Sequence, residues 1–165
     1  MRFDRIAAAA LAATVCLGAF GQAAQAASCN MMPNTQALLT EAAAEVEAAR
    51  RQLGRRALSR DATLDKAAQD HACWLSRKSG SLRDPHRGQG GNTPKTRVKR
   101  AGYRSCLTAE NIGVNQRSGT AAVQAWLASP AHRANLSRAK LRDYGLGLAV
   151  VEGKPVWVLV LAEPC

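Results

Sequence analysis

Aromatic side chains make up only 4% of this sequence. A protein that stacks bases on rings has little to work with here, which argues against nucleic acid as a partner. Acidic residues are also sparse, 12 against 23 lysines and arginines, so the chain carries a net charge of +11. Histidine occurs only three times. No two cysteines stand in CxxC spacing, so the sequence offers no thiolate zinc site. HExxH, GxSxG and the Walker loop are absent, leaving zinc proteases, α/β-hydrolases and nucleotide-binding enzymes without their marks. No apolar run reaches the roughly 20 residues that a membrane-spanning helix needs. No repeat or low-complexity segment follows the N-terminal region.

The N-terminal region itself has a pattern. Arg2 and Arg5 precede an apolar stretch from Ile6 to Phe20, and Ala24 and Ala26 then supply small residues. This is the layout of a cleavable export signal, with cleavage expected after Ala26. The reading gives a signal peptide at 1–26, a tether at 27–35 and one domain at 36–165, in a secreted or periplasmic protein. Residues 1–26 hold Arg2, Asp4 and Arg5, so the remainder keeps a net charge of +10, with 21 lysines and arginines. They cluster at Arg50–Arg56, Lys95–Arg100 and Arg133–Arg142, a surface that attracts anionic envelope polymers or lipid head groups. Cys16 leaves with the signal, and Cys29, Cys73, Cys106 and Cys165 predict two disulfides in an oxidising compartment. Four cysteines allow three pairings and sequence alone does not choose. The expectation leans to Cys29–Cys165, joining the ends, and Cys73–Cys106, joining a helix to a loop.

Periodicity then divides the domain. Leu38, Ala42, Val46, Ala49 and Leu53 draw one apolar stripe on a helix that Asn34 can cap and Gly54 can end. Asp61 caps a second helix to about Lys78, with Leu64, Ala68, His71 and Leu75 on one face and Gly80 beyond its end. Residues 81–92 read as a loop. Thr93-Pro94 opens a third helix that Gly102 closes. A short strand is expected at 110–114, a helix at about 120–128, and a further helical turn from Ser129-Pro130. Residues 144–151 and 156–162 are β-branched and apolar around the turn Glu152-Gly153-Lys154-Pro155, which predicts a hairpin. Helices first and strands last point to an α+β fold with helices packed on an antiparallel sheet.

Four polar positions lie where packing does not explain them, or lie near such a position. His86 sits in the polar loop Asp84-Pro85-His86-Arg87-Gly88. His132 falls in the first turn of its helix, where the positive helix end favours a neutral imidazole. Glu110 precedes an apolar strand and needs a partner there. Ser129 stands three residues before His132, but it reads as a helix N-cap and not as a nucleophile. His71, on an apolar helix face, reads as a core histidine.

The run Ala125-Trp126-Leu127-Ala128-Ser129-Pro130-Ala131-His132-Arg133-Ala134-Asn135-Leu136 resembles the AWxxSPGHRxNIL signature of CAP-superfamily domains. This SCP-like group includes cysteine-rich secretory proteins, antigen 5 and plant pathogenesis-related 1 proteins. Ala109-Glu110-Asn111-Ile112 is similar to its GENI box, Tyr144-Gly145-Leu146-Gly147 to its IGVG strand, and Ala101-Gly102-Tyr103 to its AGY. His86 lies at the matching distance upstream. The resemblance implies a three-layer α-β-α sandwich around a small antiparallel sheet. It also implies a central cleft where His86, Glu110 and His132 converge and can hold Zn²⁺ or another divalent cation. Ala109 replaces the usual glycine, and the second glutamate of eukaryotic members has no equivalent, which weakens the expected metal site. The function it implies is binding of a lipid, a sterol-like molecule or another envelope or extracellular ligand. Two alternatives stand beside it: a metal-dependent hydrolase with Glu110 as base, and a basic module adhering to anionic envelope polymers.

Overall fold

A computed structural model describes residues 29–78 and 83–165; the expected signal peptide and the Gly80 helix stop lie outside them. The elements run α1 (Thr35–Gln52), β1 (Ser59–Arg60), α2 (Ala62–Ser76), α3 (Pro94–Ala101), β2 (Ser105–Val114), α4 (Gly119–Ala128), α5 (Pro130–Leu136), β3 (Asp143–Val151) and β4 (Lys154–Pro164). A 3₁₀ turn at Gln89–Gly91 precedes α3. The four strands form one sheet in the order β1-β3-β4-β2, with only the short β1 parallel to its neighbour.

Local chemistry explains most boundaries. The Asp61 carboxylate accepts the Thr63 and Leu64 amides and starts α2. Thr93 and Thr96 form a capping box at α3, Pro94 stands in its first turn, and Gly102 ends it with φ +107°. Asn34 precedes α1 as expected, yet its side chain makes no capping bond. The β3–β4 hairpin closes on Glu152 and Gly153, both at positive φ, the backbone of a tight two-residue turn.

The helices cover both faces of the sheet. On one face α1, α4 and α5 bury Val46, Trp126 and Leu136 against Leu146, Leu148, Trp157 and Leu159. On the other, α2 and α3 bury Leu64, Leu75 and Val98 against Ile112, Val156, Val158 and Val160. The central strand β4 is therefore apolar on both sides, which is why residues 156–162 read as a continuous run. A Cβ on Gly145 would stand 2.1 Å from the Leu64 carbonyl carbon, and one on Gly147 would stand 2.4 Å from that of Ala68. The two glycines let α2 lie directly on β3. Beyond β1, α2 also closes the open edge of β3: Asp65 accepts the Leu146 amide, and Gln69 exchanges two hydrogen bonds with Leu148.

Two disulfides are present, Cys29–Cys73 and Cys106–Cys165, which corrects the expected Cys29–Cys165 and Cys73–Cys106 pairing. Because β2 and β4 are antiparallel neighbours with Ser105 opposite Pro164, the start of β2 lies against the chain's end. That brings the Cα atoms of Cys106 and Cys165 to 4.8 Å. The N-terminal segment instead runs past β3, where the Val150 amide donates to the Asn30 carbonyl. It meets α2 at Cys73.

Candidate functional site

The site forms where β2, the edge strand, meets α3 on one side and α5 on the other. Alternation along β2 sends Glu110 and Ile112 toward the α2–α3 layer, whereas Ala109 packs in the opposite core. Glu110 is 4% exposed, and a carboxylate at that depth requires partners. It has two. His86 Nδ1–H donates to Oε1 at 2.9 Å and Arg97 Nη2 donates to Oε2 at 2.6 Å.

Arg97 is the hub of this cluster and was not marked by the sequence as a site residue. Its Nη1 also donates to the His86 carbonyl at 3.1 Å and to the Asn92 carbonyl and side-chain oxygen. One planar guanidinium thus fixes the carboxylate, the His86 loop and the turn before α3 together. His71 supports the same loop from below. It is 1% exposed, stacks on Trp74, and its Nε2–H donates to the Pro85 carbonyl at 2.8 Å. This agrees with a core histidine, one whose partner positions the neighbouring loop.

His132 reaches the same region from α5. Asn111 donates to the His132 carbonyl at 3.1 Å, while Asn135 donates to the Glu110 carbonyl and to the Asn111 side chain. These cross-ties hold α5 along the free edge of β2, giving Asn111 and Asn135 a physical role within the two motifs. His132 feels the charge of His86, but among the described residues it makes no side-chain hydrogen bond to Glu110. Its pKa is lowered, first by burial and then by His86, so the neutral form expected from the helix end has burial as its main cause. The His71 pKa is lowered mainly by burial as well. His86 goes the other way, raised chiefly by its hydrogen bond to Glu110. Ser129 occupies the N-cap position of α5 without a side-chain capping bond.

This arrangement does not fit a metal ion held by His86, Glu110 and His132. Both Glu110 oxygens are engaged, one by the His86 imidazole and the other by the Arg97 guanidinium. Among the described residues, no group of three or more His, Cys, Asp or Glu side chains is placed to hold a metal.

Beside the cluster a groove of about 470 Å³ runs between α2 and α3, within the range of roughly 300–1,000 Å³ usual for ligand pockets. Its lining includes Lys66, Arg77, Arg97 and Arg100, with Asp70 as its one carboxylate. Ala67, Trp74, Ala101 and the Cys29–Cys73 disulfide give it apolar walls. The sequence showed Arg97 and Arg100 only as part of the Lys95–Arg100 charge run and did not single out Lys66 or Arg77.

Three solved structures share the fold. An outer surface protein of Borrelia burgdorferi matches with a TM-score of 0.68 at 20% identity, over 84% of this chain and all of that one. An extracellular SCP-domain protein of Bacillus anthracis matches with 0.67 at 22% identity, over 82% of this chain. A cysteine-rich secretory protein of Staphylococcus aureus matches with 0.60 at 16% identity, over 78% of this chain. The chain spans only 45% and 38% of the latter two proteins. No curated protein was found to match. Among the described residues, no helix is long and apolar enough to cross a membrane. Residues 43–161 match the family described as CAP, the cysteine-rich secretory protein family, and with that match, the motif order and the α-β-α sandwich, the chain belongs to the CAP family.

Proposed function

We propose that this domain acts outside the cytosol by binding and not by catalysis, recognising anionic polymers of the envelope or extracellular space. The observation that carries the reading is the state of Glu110. Its side chain is 1% exposed, with a guanidinium on one oxygen and an imidazole on the other. A general base must stand within hydrogen-bond reach of the water it activates, and this carboxylate is walled off by its own partners. The hydrolase reading therefore loses its base, and the metal reading loses a ligand. What the surface offers instead is positive charge, ten units of it beyond residue 26. A lipid-binding face finds less support, because Met31 is the one exposed large hydrophobic side chain among the described residues.

Binding to polygalacturonate and to polyphosphate across a salt series tests the proposal. Association should be tight at low salt and weaken as the screening length falls to about 8 Å near physiological ionic strength. It should proceed without release of a hydrolysis product. Binding indifferent to salt, or turnover that Glu110→Gln abolishes, would overturn it.

A further inference from the structure

The groove between α2 and α3 has features that a diffuse positive surface lacks. Four cations face one carboxylate across it, and Asp70 is already neutralised by Lys66 at 2.6 Å. Arg97 belongs to both places. Its Nη atoms are committed to Glu110, Asn92 and the His86 carbonyl, while its Nε–H is buried without a partner. His71 also lines the groove. Because its Nε2–H donates to Pro85, the neutral ring has an acceptor lone pair at Nδ1, and that atom too is buried without a partner. Buried polar groups are rarely left unpaired. One unmet donor and one unmet acceptor therefore belong to side chains of a single cationic groove.

A hydroxyl group can meet either need, since it can accept from one group and donate to another. A groove that wants hydroxyls at its floor and oxyanions at its rim matches an acidic saccharide, which carries both on neighbouring carbons. Acidic peptides and polyphosphate bring the charge without the hydroxyls. A flat bilayer surface does not enter a concavity, and Met31 is the only large exposed apolar residue among those described that could anchor one. Trp74 completes the wall, stacked on His71 at 5.6 Å between ring centroids, with the Lys78 ammonium 4.5 Å from its ring. It is a fixed side of the groove.

We infer that the α2–α3 groove is a binding site for an acidic saccharide, with Arg77 and Arg100 holding the acidic group and Arg97 and His71 taking up hydroxyls. This inference rests on the anionic-polymer reading above and narrows it to one site and one ligand class.

Trp74 supplies the readout. Of the three tryptophans, Trp126 and Trp157 are buried and Trp74 alone is partly open to solvent. Titrating the full mature chain with a short oligogalacturonate should change tryptophan emission saturably and protect it from acrylamide quenching. The neutral methyl ester of the same oligomer should do neither. The exposed pair Arg77→Ala/Arg100→Ala should lower affinity about tenfold, the equivalent of two rim charges, with an unchanged far-ultraviolet spectrum showing that the domain still folds. Polygalacturonate binding without any tryptophan response, or with unchanged affinity in the double variant, overturns the groove while leaving the broader reading intact. Loss of all polyanion binding by the wild-type chain overturns both. A response of equal strength to phosphatidylglycerol vesicles overturns the saccharide assignment.

Discussion

Glu110 is held by a guanidinium and an imidazole, and each makes its own prediction. Arg97→Ala leaves a nearly dry carboxylate with a single partner, and such a loss costs about 3–5 kcal/mol. A lower urea midpoint at unchanged slope would measure it. Arg97→Lys should recover only part, because one ammonium cannot span the carboxylate and the His86 and Asn92 carbonyls. The histidines add a pH signature of mixed sign. The His86 pKa is raised above the ordinary 6.5, first by its hydrogen bond to Glu110. Its contribution is therefore complete below 6.5 and fades as pH rises through the folded value. His71 and His132 are lowered, first by burial, so their contributions hold above 6.5 and are lost as pH falls through the folded values. His86→Asn should thus cost more stability in mild acid than in mild alkali. Equal costs in both, measured by denaturant unfolding, would contradict the ion pair. The His86–Glu110 contact was legible in the sequence because each residue lacks a packing reason for its place and each matches a motif. Arg97 was not, because a buried arginine inside a basic run looks like its solvated neighbours until α3 is set against β2.

The elements explain the motif glycines. Gly147→Ala would drive a Cβ into the α2 backbone, 2.4 Å from the Ala68 carbonyl carbon, and neither element can yield cheaply. A loss of about 3 kcal/mol is expected. Gly54→Ala, in open space at φ +64°, should cost only about 1 kcal/mol, the strain of the left-handed conformation. Equal thermal shifts for the two variants would show that α2 does not press on β3 as described. Helices α1 to α4 and the final hairpin were readable from their apolar periods and turn residues, reinforced at α2 and α3 by the Asp61 and Thr93 caps. The parallel pairing of β1 was not readable, since two residues carry no period. Strand β2 begins at Ser105 and not near Glu110, because its polar first half is ordered by pairing with β4, which local sequence does not record.

For the whole molecule, the staples and the charge decide behaviour. Each disulfide should contribute roughly 2–4 kcal/mol by restricting the unfolded chain. Peptide mapping without reduction should recover Cys29 linked to Cys73 and Cys106 linked to Cys165, and Cys106→Ser/Cys165→Ser should lower stability by that amount. The pairing was the part of the fold least legible in sequence, because it depends on which strand ends meet and not on any local signal. The central claim is that the domain binds anions through its own fixed cations, with Glu110 sealed inside. The most direct test is the affinity of residues 27–165 for polygalacturonate, measured by calorimetry from low to physiological salt, with and without a chelator and added zinc. The account predicts an affinity that falls steadily with salt and is unchanged by chelator or zinc, with no heat of zinc binding to the protein alone. Affinity that requires zinc, or that ignores salt, would contradict it.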